Sequence, residues 1–362
     1  MIPYGRQSID KDDIKAVVNV LRSDWLTQGP SVKSFEQALA DYCGAKYAVT
    51  TSNGTTGLHL AYLAAGLKKG DEVITVANTF FATIEPLLSM GAKPVFVDVD
   101  PGTYLMDVSK IEAKVTKKTK AIVPVHLFGQ MVDMNGIMKI ARRFKLKVIE
   151  DCAQAHGATQ RWRKAGTFGN LGIYSFFPSK NLGAYGDAGA LVTNNETYAM
   201  TAKKLRDHGR SGKYAHDTTG VNSRLDGIQA AVLTVKLKHL DFWVRARRGV
   251  AKQYDKLLSS AVKTPRVLAG NMHSYYVYVV EAERRDELLE YLRSKGVEAG
   301  IHYPIPLHHQ KAWRNFGYPI PHLPVTEAAA EKILSLPIFP EMTNKEVREV
   351  SEIIKNFYRR KV

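Results

Sequence analysis

From Asp71 onward the chain alternates short β-branched runs with helical segments. They are DEVITV, a helix through TIEPLLSMG, KPVFVDVD, TKAIVPV, a helix through GIMKIARRFK, and LKVIED. That βαβ rhythm predicts a mostly parallel sheet with helices on its faces. Sheets of this kind bind ligands at the carboxyl ends of their strands. Leu225, Ile228, Val232, Val235 and Phe242 then recur at three- and four-residue steps, which predicts one long helix acting as a spine between domains. Beyond about Leu257 come a strand-like HSYYVYVVEA, a helix RRDELLEYLRSKG, a segment rich in Pro and His, and a closing helix NKEVREVSEIIKNFYR. The expected division is a large domain over residues 1–245 and a smaller α+β domain over 246–362. No internal repeat or low-complexity tract interrupts it.

Composition narrows the class. With 362 residues, 45% of them hydrophobic, the chain can bury a large core in two domains. Its longest apolar runs, such as YYVYVV near Tyr275, fall far short of the roughly 20 residues that cross a bilayer, and MIPYGRQSIDKDD has no apolar signal core. A soluble cytoplasmic protein is expected. Two cysteines, Cys43 and Cys152, supply neither a disulfide framework nor a clustered metal ligand set, so no metal is expected. The formal net charge of +16 attracts polyanions and small phosphate-bearing molecules alike. Its basic groups are dispersed: KVTKKTK, RARR and the YRRK tail lie in separate regions, and solvated faces account for them. Neither nucleic acid nor membrane is an expected partner.

Three stretches carry candidate chemistry. In TTSNGTTGLHLAYLAAGL a polar turn feeds a helical run, so the backbone N–H groups of Gly54 and Thr55 meet the helix dipole at one spot. This is a phosphate cradle, or an ordinary N-cap. No G-x-x-x-x-G-K-[ST] occurs, and Gly183, Gly186 and Gly189 do not have dinucleotide spacing. In VIEDCAQAHGA, Asp151 follows an apolar strand, where a carboxylate calls for a cation such as a protonated ring nitrogen; a helix cap or a structural ion pair is the alternative. In SFFPSKNLGAYGDAGALVTNN, Ser175 offers a hydroxyl, and Lys180 sits on a short loop where its amine could reach a carbonyl carbon. Phe80 and Phe81, after EVITV, offer an aromatic face, although such residues are also common in cores. A phosphate cradle, an acid for a ring nitrogen, an aromatic face and a lysine for an aldehyde together suit pyridoxal 5′-phosphate (PLP).

The segments TSNGTTGLHLA, ANTFFAT, KPVFVDVDPGTYLMD, VIEDCAQAHGA, SFFPSKNLGAYGDAGA and GVNSRLDGIQAAVL together resemble the DegT/StrS-type sugar aminotransferases, in the right order and over nearly the whole chain. The resemblance implies the α/β architecture of fold-type I PLP-dependent transferases, working as a homodimer. It implies that Gly54, Thr55 and Ser175 hold the cofactor phosphate, with Asn222 reaching in from the partner subunit. Phe80 would stack on the ring, Asp151 would pair with its nitrogen, and Gln154 would bond its hydroxyl. Lys180 matches the family lysine; relatives that dehydrate their substrate carry histidine there, so this chain is expected to transaminate. L-glutamate is the implied amino donor and a nucleotide-linked keto sugar the implied acceptor. On the substrate side the resemblance points to Tyr185, Arg224, His302 and Tyr303, with a surface Pro/His loop and a helix-packing arginine as the plainer alternatives. The lysine loop is similar to members acting at C3, whereas IPYGRQSIDKDDIKAVVNVLRSDWLTQGP is similar to members acting at C4. A non-catalytic regulator or nucleic-acid binder on the same fold would leave Lys180, Asp151 and the cradle idle.

Overall fold

The computed structural model describes residues 1–359, so Arg360 and Lys361 of the basic tail lie outside the described residues. Its central sheet has seven strands: β1 (Tyr47–Thr51), β2 (Glu72–Val76), β3 (Lys93–Val97), β4 (Thr119–Ile122), β5 (Lys147–Asp151), β6 (Leu171–Ser175) and β7 (Gly189–Thr193). They lie in the order β1-β7-β6-β5-β4-β2-β3. Only β7 runs antiparallel to its neighbours, β1 and β6. The remaining pairs are parallel.

The short apolar runs become strands because both sheet faces are covered, which rewards continuous hydrophobicity over alternation. Successive residues point to opposite sides. Ile74, Ile122 and Val148 join the core that includes Phe35, Leu39 and Ile137, whereas Val73, Ala121 and Ile149 join the core that includes Leu58, Ala61 and Ala202. Helices Gly29–Cys43 and Met134–Phe144 therefore cover one face, and Gly54–Ala64 and Glu196–Leu205 the other.

Three expected elements are redrawn. The helix through TIEPLLSMG is a 3-10 turn, Phe81–Thr83, followed by a short α-helix Glu85–Ser89 opened by Pro86. The spine helix is two helices, Gly227–Leu237 and Leu240–Leu258. At the break Lys238 N–H bonds Val235 O and His239 N–H bonds Lys236 O, a three-residue spacing that tightens the turn. Apolar periodicity reads through such a break because Leu237, Leu240 and Val244 stay buried across it, while Phe242 is 61% exposed. Of HSYYVYVVEA only Tyr278–Glu281 forms a strand, antiparallel to Ile333–Leu336. Its first half is drawn to the loop after β4 instead, where Ser274 N–H bonds Gly129 O and Tyr276 N–H bonds Phe128 O.

A second core gathers Val250, Tyr254, Tyr278, Leu288, Leu334, Val347 and Ile354, together with Ile2. Ile2 pairs with Val297 as a parallel bridge, donating to Gly296 O and accepting from Glu298 N–H. Among the described residues, no helix is long and apolar enough to cross a membrane.

Candidate active site

A cleft of about 590 Å³ opens where β5 and β6 end. The structure brings nine of the expected residues to it: Gly54, Thr55, Phe80, Asp151, Gln154, Ser175, Lys180, His302 and Tyr303. The cradle is built from the cap of helix Gly54–Ala64. Asn53 accepts the Thr56 N–H on its side chain at 2.8 Å and the Gly57 N–H on its carbonyl at 3.1 Å, which leaves the Gly54 and Thr55 amides for a ligand. Ser175, the last residue of β6, lies against Gly54 so closely that a Cβ on Gly54 would sit 2.7 Å from the serine Cβ. Glycine is required there by close approach.

Asp151, the last residue of β5, is 5% exposed. Its carboxylate accepts from Thr83 Oγ1 at 2.8 Å and from the Ala153 N–H at 3.1 Å. Burial raises its pKa, while the Thr83 and Ala153 hydrogen bonds and the Lys180 charge pull the other way. It makes no ion pair among the described residues, so a protonated group of a ligand is its natural partner. Next to it in sequence, Glu150 points away from the cleft and accepts from His126 Nε2 at 2.9 Å and from the Gly166 and Phe168 amides at 2.9 and 2.7 Å. Val132 N–H donates to His126 Nδ1, so Nε2 carries the hydrogen given to Glu150. This buried node fixes the end of β5 from behind.

Lys180 rides on a loop closed by Lys180 N–H to Phe177 O and Ala184 N–H to Phe176 O, each at 2.8 Å. A Cβ on Gly183 would fall 2.2 Å from Pro178 O, so the loop closes only with glycine there. The lysine Nζ stands 4.2 Å from the centroid of the Tyr276 ring.

On the opposite wall Phe80, 59% exposed, is tilted against Tyr303 with centroids 5.9 Å apart. Gln154 accepts the Phe128 N–H at 2.7 Å and donates to Tyr303 Oη at 3.0 Å, which leaves one amide hydrogen free for a ligand. His302 Nδ1 pairs with Ser335 Oγ at 2.9 Å. Its pKa is pushed down to about 4, first by burial and then by the Lys180 charge. Burial also raises the Tyr303 phenol, which keeps its proton.

Three expected residues stand outside this cleft in the single chain. Tyr185 donates to Asp13 Oδ2 at 2.7 Å, and Arg224 pairs with Asp207 at 3.1 Å. Asn222 is exposed, although its neighbour Ser223 bonds Thr56 Oγ1 at 2.7 Å beside the cradle. Conversely, Thr83 and Tyr276 belong to the site and were not singled out. Thr83 lies within ANTFFAT, and Tyr276 was hidden in an apparent strand.

The sequence matches the DegT/DnrJ/EryC1/StrS aminotransferase family over residues 7–355. It is 46% identical over 354 residues to "Pleiotropic regulatory protein" of Geobacillus stearothermophilus, covering 96% of this chain and 95% of that one. It is 43% identical over 365 residues to "dTDP-3-amino-3,4,6-trideoxy-alpha-D-glucose transaminase" of Micromonospora megalomicea subsp. nigra, covering 98% and 97%. Among solved structures, NtdA from Bacillus subtilis, with its cofactor PMP bound, superposes with a TM-score of 0.90 at 33% identity, covering 97% of this chain and 83% of that one.

Proposed function

Because the chain belongs to the DegT/DnrJ/EryC1/StrS aminotransferase family, we propose that its cleft binds PLP and moves an amino group from L-glutamate to C3 of a nucleotide-linked keto sugar. The observation that carries this reading is the convergence of Lys180, buried Asp151 and the Gly54–Ser175 cradle on one cleft. The cradle's free amides and the serine hydroxyl suit a phosphate at a helix N-terminus. Asp151, raised in pKa and lacking an internal cation, suits a pyridinium nitrogen. Phe80 gives the ring a face, and Gln154 keeps an amide hydrogen for its hydroxyl.

When bound, PLP supplies an electron sink for the carbon that loses its proton. The chain's residues do the rest. Lys180 would hold the cofactor at its aldehyde, and its amine is placed to take up and return the substrate's proton as base and then acid. Asp151 holds the proton on the ring nitrogen. The Thr83 hydrogen bond aims that carboxylate and favours its ionised form against the cost of burial. His302, uncharged near neutral pH, and the Tyr303 phenol present hydrogen-bonding groups to the sugar without adding charge.

The C3 product named for the Micromonospora relative supports amination at that carbon. Asn222, exposed beside its own cradle, fits the reading that it completes the partner subunit's phosphate site in a homodimer. The relative named as a regulator favours a second reading, regulation by the same fold; it assigns no work to Lys180.

Purified protein loaded with PLP should show a visible band that borohydride abolishes, with the cofactor's mass then fixed to the Lys180 peptide. L-glutamate and a panel of dTDP- and UDP-linked 3-keto and 4-keto sugars should yield 2-oxoglutarate with a 3-keto member. Transfer only to a 4-keto sugar would move the site of amination to C4. No transfer to any member would leave the regulatory reading standing.

A further inference from the structure

A second cavity, of about 270 Å³, lies behind the lysine loop. Ser179, Lys180 and Tyr276 line both spaces, so the loop is the wall between them. Two of its other walls are buried cations that make no ion pair among the described residues, although the exposed Glu341 acts on both charges from a distance. Lys236, in the last turn of helix Gly227–Leu237, is 4% exposed and makes no ion pair among the described residues. Its Nζ stands 5.0 and 5.9 Å from the centroids of the Tyr185 and Trp243 rings. Asp10, Asp13 and Glu341 act on its charge only from a distance, and burial lowers its pKa.

Arg247, one helical turn after Trp243, is 6% exposed. Its Nη1 donates to the carbonyls of Tyr275, Tyr276 and Ile338, at 3.3, 3.4 and 2.7 Å, but no carboxylate pairs with it and its Nε has no partner. Asn181 Oδ1, on the loop side, is also unpartnered. Of the two acids lining this space, Glu298 accepts the Tyr4 N–H at 2.9 Å and Glu341 is exposed.

Buried charge without a counter-ion costs several kcal/mol. Two such cations on one cavity make it an anion site. A cavity of that size admits a small organic acid. Glu298 and Glu341 oppose a second negative charge at the same point, which favours a carboxylate over a phosphate. A guanidinium edge also matches a planar carboxylate.

We propose that this cavity is the donor's anchoring subsite: the side-chain carboxylate of an acidic amino acid lies between Lys236 and Arg247, with its amine toward Lys180. This rests on the aminotransferase reading for its amine, but the anchoring itself can be tested without turnover. Glutarate, a dicarboxylic acid with no amine to transfer, is the probe.

Calorimetric titration of the PLP-loaded enzyme with glutarate should show binding that Lys236→Met weakens at least tenfold, about 1.4 kcal/mol, and that Lys236→Arg largely restores. Should Lys236→Met melt early, Arg6→Gln at the exposed rim repeats the test with a loss of about threefold. Absence of glutarate binding, or equal affinity in the Lys236 and Arg6 variants, overturns the subsite. Tighter Lys236-dependent binding of inorganic phosphate overturns the carboxylate assignment. The two readings fail separately: glutarate binding without amine transfer to any keto sugar removes the proposed function, whereas transfer with a glutamate KM indifferent to Lys236→Met removes the subsite.

Discussion

Replacing Gly54 with alanine adds one methyl group at the tightest point of the cradle. Its Cβ would lie 2.7 Å from Ser175 Cβ and 3.3 Å from Ser175 Cα and Oγ. Carbon pairs rest at about 3.5–4.0 Å, so the overlap is close to 1 Å. Neither side yields easily. Ser175 is held in β6 opposite Gly189 of β7, and Gly189 is itself packed on Asn53, where a Cβ would meet the Asn53 carbonyl carbon at 2.4 Å. The first turn of helix Gly54–Ala64 must therefore retreat from the strand, at an overpacking cost of about 1–3 kcal/mol. Retreat separates the two amides from the serine hydroxyl, and losing one charge-assisted hydrogen bond to phosphate costs about 1.5–3 kcal/mol. PLP affinity should fall roughly 10- to 100-fold, about 1.4–2.7 kcal/mol. Equilibrium dialysis of the cofactor-free protein against PLP measures this, with a thermal melt alongside. Gly249→Ala is the control: in helix Leu240–Leu258 its added Cβ meets nothing within 4 Å, so it should stabilise by about 0.4–1 kcal/mol without touching PLP affinity. If Gly54→Ala binds PLP within twofold of wild type at an unchanged melting temperature, the cradle geometry has been misread.

Lys180→Ala should still bind PLP through the cradle and Asp151, while amine transfer falls by about 10²- to 10⁴-fold; near-normal turnover would end the assignment of that lysine. Thr83→Val removes the 2.8 Å hydrogen bond that offsets the burial of Asp151. The Asp151 pKa should rise further, so the acidic limb of the kcat/KM profile should move to higher pH by up to about one unit, and a shift to lower pH would sink the argument. The same raised pKa acts on stability: Asp151 binds its proton more tightly folded than unfolded, so its penalty is absent below its unfolded pKa and fully present above its folded one. Lys180→Ala chains mixed and refolded with Asn222→Asp chains should regain activity, because one site of each mixed dimer then has both native residues; no recovery from demonstrated heterodimers would place Asn222 and Lys180 in the same subunit's site.

Much of the site was legible because sheet topology is written in short apolar runs, and their ends locate ligands. Asp151 was expected at a strand end and closes β5, and Ser175, expected to offer a hydroxyl, closes β6. The lysine loop and the cap at Asn53 were likewise readable from local turn chemistry. What escaped depends on long-range contacts. Tyr276 reaches the cleft only because Phe128 O, far back in the chain, takes its amide out of the expected strand. The break at Lys238–His239 carries no Gly or Pro to mark it. The cavity behind the loop draws Arg6, Lys180, Lys236 and Arg247 from four separate segments, and no spacing rule joins them. Asn222 faces outward, beside the cradle but outside the cleft, in a backbone bridge with Asp207.

The pairing of Ile2 with Val297 sets a schedule for synthesis. Val297, which pairs with Ile2, and much of the small core that buries it are made nearly 300 residues after Ile2. At about 5–20 residues per second that interval is roughly 15–60 s. Throughout it the segment Tyr4–Ser8, which walls the rear cavity, has no Glu298 to accept the Tyr4 amide. The central sheet can condense on the ribosome before the rear wall of the lysine loop is complete. A nascent chain stalled before residue 297 should thus present an open loop to solvent, and the native two-sided setting of Lys180 arises only once Glu298 has been made.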